Sequence, residues 1–269
     1  MRAMTGSGSR SSGRHRLAVL SALALGLMLA GCAAVEPPVA HDTTRPVAAT
    51  STPTPTPTPL KDAVLSGHGS LDGTTVDLDV PEGARSVTID FTCEGDTGYL
   101  VDIGYSQLGE LATLRGQCGK AHEMAWPLDD TMQKTLTVSL ADDVAWKATA
   151  HFSTAEFAYD EKVTADCAVF ADVYSAFMNA DSGYTNYHAF DADEWSDRVA
   201  VATRTLDRLA ATSRSSLHDP LNELSTVLDA GGQRVGSVLS GGIGAPITQI
   251  SELCDKNQTP MILTGEFGG

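Results

Sequence analysis

Apolar and polar residues alternate through the middle of the chain, and the spacing changes to that of helices near residue 160. Between residues 61 and 155, short runs such as Val87–Cys93 place an apolar side chain at every second position, with turn-forming residues between the runs. This period of two predicts an antiparallel β-sandwich or barrel. We predict eight strands, near residues 65–69, 74–80, 86–93, 99–105, 110–115, 122–126, 134–140 and 144–152.

Residues 156–269 carry apolar side chains at steps of three and four, which is the spacing of amphipathic helices. Four such stripes can be followed along the chain, in Val163–Phe177, Trp195–Leu209, Leu217–Leu228 and Ile247–Cys254. They predict a small four-helix bundle, followed by an extended C-terminal tail that returns against the sandwich. The predicted fold class is therefore α+β in two domains, an eight-stranded antiparallel sandwich at 61–155 and a helical domain at 156–269.

The N-terminus has the pattern of a secretory signal peptide. Residues 1–16 contain four arginines and no acidic residue, and residues 17–30 are almost wholly apolar. A basic start before a short apolar run is typical of such a signal. The run is shorter than the roughly 20 residues that a membrane span needs. It closes on Leu29-Ala30-Gly31-Cys32, which resembles the lipobox of bacterial lipoproteins.

The resemblance to bacterial lipoproteins covers only this leader and Cys32. It implies that residues 1–31 are removed and that the sulfur of Cys32 carries a diacylglyceryl group. Acyl chains such as palmitate would then hold the protein on the extracytoplasmic side of the cell membrane. Two chains anchor far better than one, because each buried methylene contributes about 0.8 kcal/mol. The membrane partner is therefore reached through lipid on Cys32.

Residues 32–60 are predicted to be a lipidated cysteine followed by a tether. The stretch Ser51–Pro59 alternates proline with serine or threonine, and no organised apolar pattern precedes it. Alternating prolines favour extended polyproline II. At about 3.1 Å per residue, residues 33–60 reach roughly 80 Å at most. We expect a semi-rigid spacer, with a proline-rich docking ligand as the alternative.

The cysteine count indicates two disulfides. The chain has five cysteines, and lipidation of Cys32 leaves an even number in an oxidising compartment. Three pairings of the remaining four are formally possible. The order of the predicted domains favours Cys93–Cys118 within the sandwich. Within the helical domain it favours Cys167–Cys254, since both of these cysteines fall on apolar stripes.

The charge excludes nucleic acid as a partner. The whole chain has a formal net charge of −16 at pH 7. Removal of residues 1–31 takes away four arginines and no acidic residue, so 14 basic and 34 acidic residues remain, a net charge of −20. Such a chain repels nucleic acid and anionic headgroups. Attachment to a membrane must therefore come from lipid.

The sandwich region broadly resembles the small jelly-roll modules of secreted bacterial proteins, several of which bind carbohydrate. The resemblance is one of pattern, and no binding motif can be matched residue by residue. Trp126 directly precedes Pro127 near a predicted strand end. It is our candidate for an exposed indole that stacks on a sugar, with burial in the core as the alternative.

A second candidate ligand site is the predicted loop Asp181–Asp191. It brings Tyr184, Tyr187 and His188 close to Asp191 in sequence. Aromatic rings and carboxylates can hold a sugar or a cation, although the aspartate spacing is not that of an EF-hand. The alternative is a helix connection whose aromatic side chains cap the bundle core, with an aspartate capping the next helix.

The chain lacks the usual catalytic signatures, including G-x-S-x-G, H-E-x-x-H and G-x-x-x-x-G-K. We therefore predict no catalytic residue, no metal site and no cofactor. The first hypothesis is a non-enzymatic lipoprotein of the cell envelope surface that contacts a cell-wall glycan or an envelope protein. The second is a carbohydrate-binding lipoprotein acting through the sandwich, and the third is an uncharacterised cell-wall hydrolase.

Overall fold

The computed structural model describes residues 58–104, 111–230, 234–240 and 242–267. The predicted signal peptide, Cys32 and nearly all of the tether lie outside these ranges, as do the predicted strand ends at 105 and 110. Within the described residues, none of the helices combines the length and apolar character needed to cross a bilayer. All of the described strands and helices belong to one unit of the chain.

The described chain contains two antiparallel sheets of four strands each. The strands are β1 (Ala63–His68), β2 (Thr74–Asp77), β3 (Ser86–Cys93), β4 (Gly98–Ile103), β5 (Leu114–Gln117), β6 (His122–Pro127), β7 (Thr135–Leu140) and β8 (Ala145–Ser153). One sheet has the order β1-β8-β3-β6 and the other β2-β7-β4-β5. This order is that of a jelly roll, whose two sheets face each other. The predicted eight-stranded, jelly-roll-like sandwich is confirmed.

Period-two alternation builds the core between the sheets. In β3, the side chains of Val87, Ile89 and Phe91 are buried, while those between them are more exposed. These residues face the opposite sheet because successive side chains of a strand point to opposite faces. A disulfide joins Cys93 at the end of β3 to Cys118 just after β5, as predicted, and so links the two sheets.

Four helices follow the sandwich. They are α1 (Glu161–Thr185), α2 (Ala192–Thr212), α3 (His218–Ala230) and α4 (Gly244–Lys256). Each helix packs on the next, and α4 also packs on α1, so the arrangement closes on itself. The predicted disulfide between Cys167 and Cys254 joins α1 to α4, with Cα atoms 5.9 Å apart. The helical part of the predicted fold is thus confirmed.

The C-terminal tail does not return to the sandwich, and this part of the expectation was wrong. Residues 259–267, which we call the C-terminal strap, run along α1. The backbone N–H of Thr264 donates to Ser175 Oγ at 3.0 Å, and the Asn179 amide donates to the Thr264 carbonyl at 2.9 Å. Asn179 Oδ1 accepts from the N–H of Glu266 at 2.8 Å. Ser175 and Asn179 of α1 therefore bond three backbone groups of the strap.

Sandwich and helices meet through the residues that follow α4. The Oε1 atom of Gln258 accepts from the N–H of Ala112 at 2.9 Å, and its Nε2 donates to the carbonyl of Ala125 at 3.0 Å. Ala112 lies just before β5 and Ala125 lies in β6, so one buried amide contacts the edge of each sheet. The domain boundary placed between residues 155 and 156 stays a prediction.

Candidate functional site

Trp126 lies in the sandwich core, which corrects its prediction as an exposed sugar platform. Its side chain is fully buried, and its indole N–H donates to the carbonyl of Ala112 at 3.0 Å. Trp126 belongs to the inward-facing set of β6 together with Met124. An indole in this position has no free face for a ligand, and its polar atom already has a partner.

The segment Asp181–Asp191 is only partly a loop, because α1 continues to Thr185. Glycine is needed at position 183 because the ring of Phe190 packs against its backbone, and a Cβ there would overlap that ring. The Asp181 carboxylate is occupied by three N–H donors. They are Trp195 Nε1 at 2.9 Å, Val238 N at 3.0 Å and Leu239 N at 3.1 Å. Asp181 therefore joins α1 to α2 and to the segment before α4.

Most of the polar groups of this segment serve the helix ends. Asp191 caps α2, where its Oδ1 accepts from the N–H groups of Asp193 at 3.1 Å and Glu194 at 3.0 Å. His188 has a positive φ of 48°, and its Nδ1 lies 3.1 Å from the carbonyl of Tyr184, to which it must donate. The ring of Tyr184 packs against the helical core.

Tyr187 is half exposed, and its ring belongs to an aromatic cluster at the strap. It stacks on Phe267 with centroids 5.5 Å apart, and Phe267 also contacts Phe190 at 6.0 Å. The guanidinium of Arg198 lies 4.5 Å above the Phe190 ring. The rings contact one another, so the arrangement is that of the helix-connection hypothesis, in which aromatic side chains cap the bundle.

A cavity of about 320 Å³ lies where the sheet edges β5 and β6 meet α4, and we call it the junction cavity. Its lining includes the buried side chains of Tyr99, Leu114 and Met124. A second cavity of about 510 Å³ adjoins it and shares Tyr99 and Arg115 as lining residues. Cavities of this size accommodate small ligands.

Charged groups of both signs surround the junction cavity. Arg115 approaches Asp255 with Nη2 and Oδ2 3.4 Å apart. Burial raises the pKa of the Asp255 carboxyl, and the nearby guanidinium of Arg115 opposes that shift. His122 Nε2 lies 2.7 Å from the carbonyl of Gln117, so this nitrogen carries the proton. The cavity therefore offers donors and acceptors in close proximity.

Tyr99 lines this cavity, and its hydroxyl oxygen is buried. Burial raises its pKa to about 12, so the hydroxyl stays protonated at any ordinary pH. The His122 ring meets the Tyr99 ring edge to face with centroids 5.3 Å apart. Among the described residues, including those of this cavity, no group of three histidine, cysteine, aspartate or glutamate side chains is arranged to hold a metal ion. The junction cavity offers hydrogen-bonding groups and charged side chains of both signs.

Sequence reasoning did not single out Tyr99, because it occupies an inward position of β4 like any core residue. One signal was present. Gly116 lies inside β5 and pairs directly with Tyr99 across the sheet. A glycine within a strand marks a site where another group approaches closely. A Cβ on Gly116 would overlap the phenol ring of Tyr99.

No protein-family model and no curated protein matches this chain. A disulfide-linked pilus protein of Bacillus endospore appendages is similar at 9% identity and a TM-score of 0.26, over 39% of this chain and 96% of that one. PirA is similar at 11% identity and a TM-score of 0.19, over 38% of this chain and 99% of that one. Similarities this low carry no argument about function.

Proposed function

We propose that the protein is a lipid-anchored lipoprotein of the cell envelope surface with a non-enzymatic binding or scaffolding role. The observation that carries the proposal is the state of the cysteines. The two disulfides use four of the five cysteines, so Cys32 has no cysteine of its own chain left as a partner. Cys32 is also the last residue of the lipobox-like sequence. In a lipobox, this cysteine is attached to lipid and does not form a disulfide.

The two disulfides also support export, because such bonds persist in oxidising compartments outside the cytoplasm. The folded body would stand on the Thr/Pro-rich tether, within reach of wall polymers and neighbouring envelope proteins. Hydrogen-bonding surfaces such as the junction cavity suit a binding role. Sugar stacking on Trp126 is not part of the proposal, since that indole is buried.

The proposal is tested by metabolic labelling with a palmitate analogue in a bacterial host that processes lipoproteins. The full chain should take up the label and sediment with membranes. Cys32→Ser should lose the label and leave the membrane fraction, because serine offers no thiol for a thioether. Ala34→Ser, two residues away, is the matched control and should behave as the wild type. Unchanged labelling of Cys32→Ser would show that the lipid is elsewhere or absent.

A further inference from the structure

The last residues of the tether are bonded to the end of β8. The N–H of Leu60 donates to the carbonyl of Phe152 at 2.9 Å, and the N–H of Thr154 donates to the carbonyl of Thr58 at 3.3 Å. The N–H of Thr58 in turn donates to Thr154 Oγ1 at 3.0 Å. The tether therefore reaches the folded body as an extended segment beside β8.

This pairing fixes which tether residues must carry a backbone N–H. Pro59 lies opposite Ser153 in an antiparallel bridge whose hydrogen bonds come from the residues on either side. In an antiparallel ladder, alternate residues turn their N–H groups toward the partner, and the residues between them turn theirs away. Thr58 and Leu60 hold the inward positions and Pro59 the outward one. Proline has no N–H and is confined to such outward positions of edge strands.

The sequence continues this phase upstream. Residues 53–57, which lie outside the described ranges, read Pro-Thr-Pro-Thr-Pro. Counted back from Pro59, every proline of this segment falls at an outward position, and both threonines fall at inward positions. A shift of one residue would place a proline wherever an N–H is needed. A flexible spacer has no need of such strict alternation, whereas a segment that pairs along one side does.

An aromatic pair lies just beyond the bonded residues. The chain bends at Thr154 and Ala155 and then runs to α1 without helix or strand. Among the described residues, no backbone-to-backbone hydrogen bond uses a group of residues 156–159. The rings of Phe157 and Tyr159 contact each other with centroids 4.8 Å apart, and neither ring is part of the sandwich core or the helical core. Backbone groups and two rings are therefore open to an incoming segment.

The antiparallel register of the bridge leads to these two rings. In such a register, each step back along the tether corresponds to one step forward from Ser153. Carried past the bend, it sets Pro55 opposite Phe157 and Pro53 opposite Tyr159. Both would be pairs without mutual hydrogen bonds, in which side chains approach most closely. The outward phase of the prolines thus coincides with the positions of the rings.

We propose that the tether segment Pro53–Pro57 docks along residues 155–159 of its own chain and packs its prolines on Phe157 and Tyr159. Aromatic grooves recognise proline-rich segments because the extended conformation is already formed and loses little entropy on binding. Docking shortens the free tether to residues 33–52, which reach about 60 Å at about 3.1 Å per residue. It also fixes the point at which the free tether leaves the body. The inference goes beyond the proposed function, because docking does not require a lipid.

The test is amide hydrogen exchange by NMR on the isotope-labelled full chain in detergent. After correction for intrinsic rates, the amides of Thr54 and Thr56 should exchange at least about fivefold more slowly than that of Thr44, which lies upstream of the repeat. The Glu156 amide should be protected as well. Equal rates at all three threonines would overturn the proposal. Protection that grows with protein concentration would also overturn it, because another molecule's tether would then occupy the surface.

A transposition tests the phase at constant composition. Thr56→Pro with Pro57→Thr puts a proline where an N–H is required, so Thr54 should lose its protection. Arg45→Pro with Pro46→Arg is the matched control, since it makes the same exchange upstream of the docked segment and should leave Thr54 as in the wild type. Unchanged protection of Thr54 in the first variant would refute the register.

Phe157→Ser with Tyr159→Ser removes the aromatic surface. Both rings lie outside the two cores, so the melting temperature should stay close to that of the wild type. Protection of Thr54 should fall at least about threefold, since the prolines lose their apolar contact. Tyr187→Ser, at another half-exposed tyrosine, should leave that protection unchanged. Wild-type protection in the double variant would show that the rings do not hold the tether and would refute the proposal.

The anchor and the docking can fail separately. Cys32→Ser removes the proposed site of lipid attachment and should keep the protection of Thr54, because the docked segment begins 21 residues downstream of Cys32. Loss of that protection in Cys32→Ser would show that attachment to lipid, and not the body, orders the segment, and would overturn the proposal.

Discussion

Gln258 should be the residue whose substitution most weakens the junction between the sandwich and the helices. It is 6% exposed, and its amide bonds the N–H of Ala112 and the carbonyl of Ala125. Its backbone has a positive φ of 55°. Gln258→Met keeps the side-chain length and the same backbone constraint but removes both hydrogen bonds.

The magnitude follows from the two groups that the variant leaves behind. A buried donor or acceptor that loses its partner costs about 1–3 kcal/mol, and a carbonyl costs less than an N–H because it has a second lone pair. Loss of both bonds of Gln258 should therefore lower the free energy of unfolding by about 2–4 kcal/mol. Ala112 should bear the larger share of this cost.

Two measurements check the expectation for Gln258→Met. Urea unfolding followed by tryptophan fluorescence reports the sandwich through Trp126 and Trp146 and the helices through Trp195, all three of which are buried. Hydrogen exchange at the Ala112 amide reports the lost bond directly and should become about tenfold faster or more.

Gln133→Ala is the matched control, because Gln133 is exposed in the segment before β7. Its unfolding free energy should stay within about 0.5 kcal/mol of the wild type. If Gln258→Met also stays within that range, with unchanged exchange at Ala112, the junction does not depend on this amide and the reasoning is refuted.

Two further predictions concern a disulfide and a titratable cluster. The double substitution Cys167→Ala with Cys254→Ala removes a disulfide between cysteines 87 positions apart. In the chain-entropy model, the free energy of unfolding measured in urea should fall by about 4–5 kcal/mol. A fall of under about 1 kcal/mol would contradict that model. His151 contacts Asp62 at 3.0 Å and Asp90 at 3.2 Å, and these carboxylates raise its pKa above the ordinary value. The folded state favours the charged form of His151. The stability that His151 contributes to the fold is therefore fully present below about pH 6.5, the pKa of an unfolded histidine, and is lost as the pH rises through the raised pKa. Thermal melts from pH 6 to pH 8 should show a decline that His151→Gln lacks, and equal slopes would refute this role.

Local sequence signals predicted most of the secondary structure and the covalent links. Alternation in runs such as Val87–Cys93 identified the strands, because a strand with one buried face must place apolar side chains at every second residue. Apolar residues at steps of three and four identified α1 in the same way. The helix continues beyond its predicted end to Thr185. The disulfide partners followed from domain order and, for Cys167 and Cys254, from their positions on apolar helix stripes.

The candidate site was less predictable, because its parts come from distant places in the sequence. Trp126 beside a proline was a candidate for an exposed indole, with burial as the alternative, and the sandwich buries it. Tyr99 and Asp255 line one cavity although 156 positions separate them, and no local pattern connects the two. The predicted route of the C-terminal strap was also wrong, since Ser175 and Asn179 of α1 hydrogen-bond its backbone.

The sequence by itself determined which residues form strands and helices and favoured the cysteine pairs that the structure shows, and it is the basis on which we propose export and a lipid anchor. Those properties depend on periodicity, composition and chain order, which are local or one-dimensional. Only the tertiary structure decided which surfaces stay open. The buried amide of Gln258 acquires its role from Ala112 and Ala125, which folding brings to it. The hydrophobic pattern shows which face of a strand or helix is buried. It does not show which groups form hydrogen bonds, because those partners come together only when the chain folds.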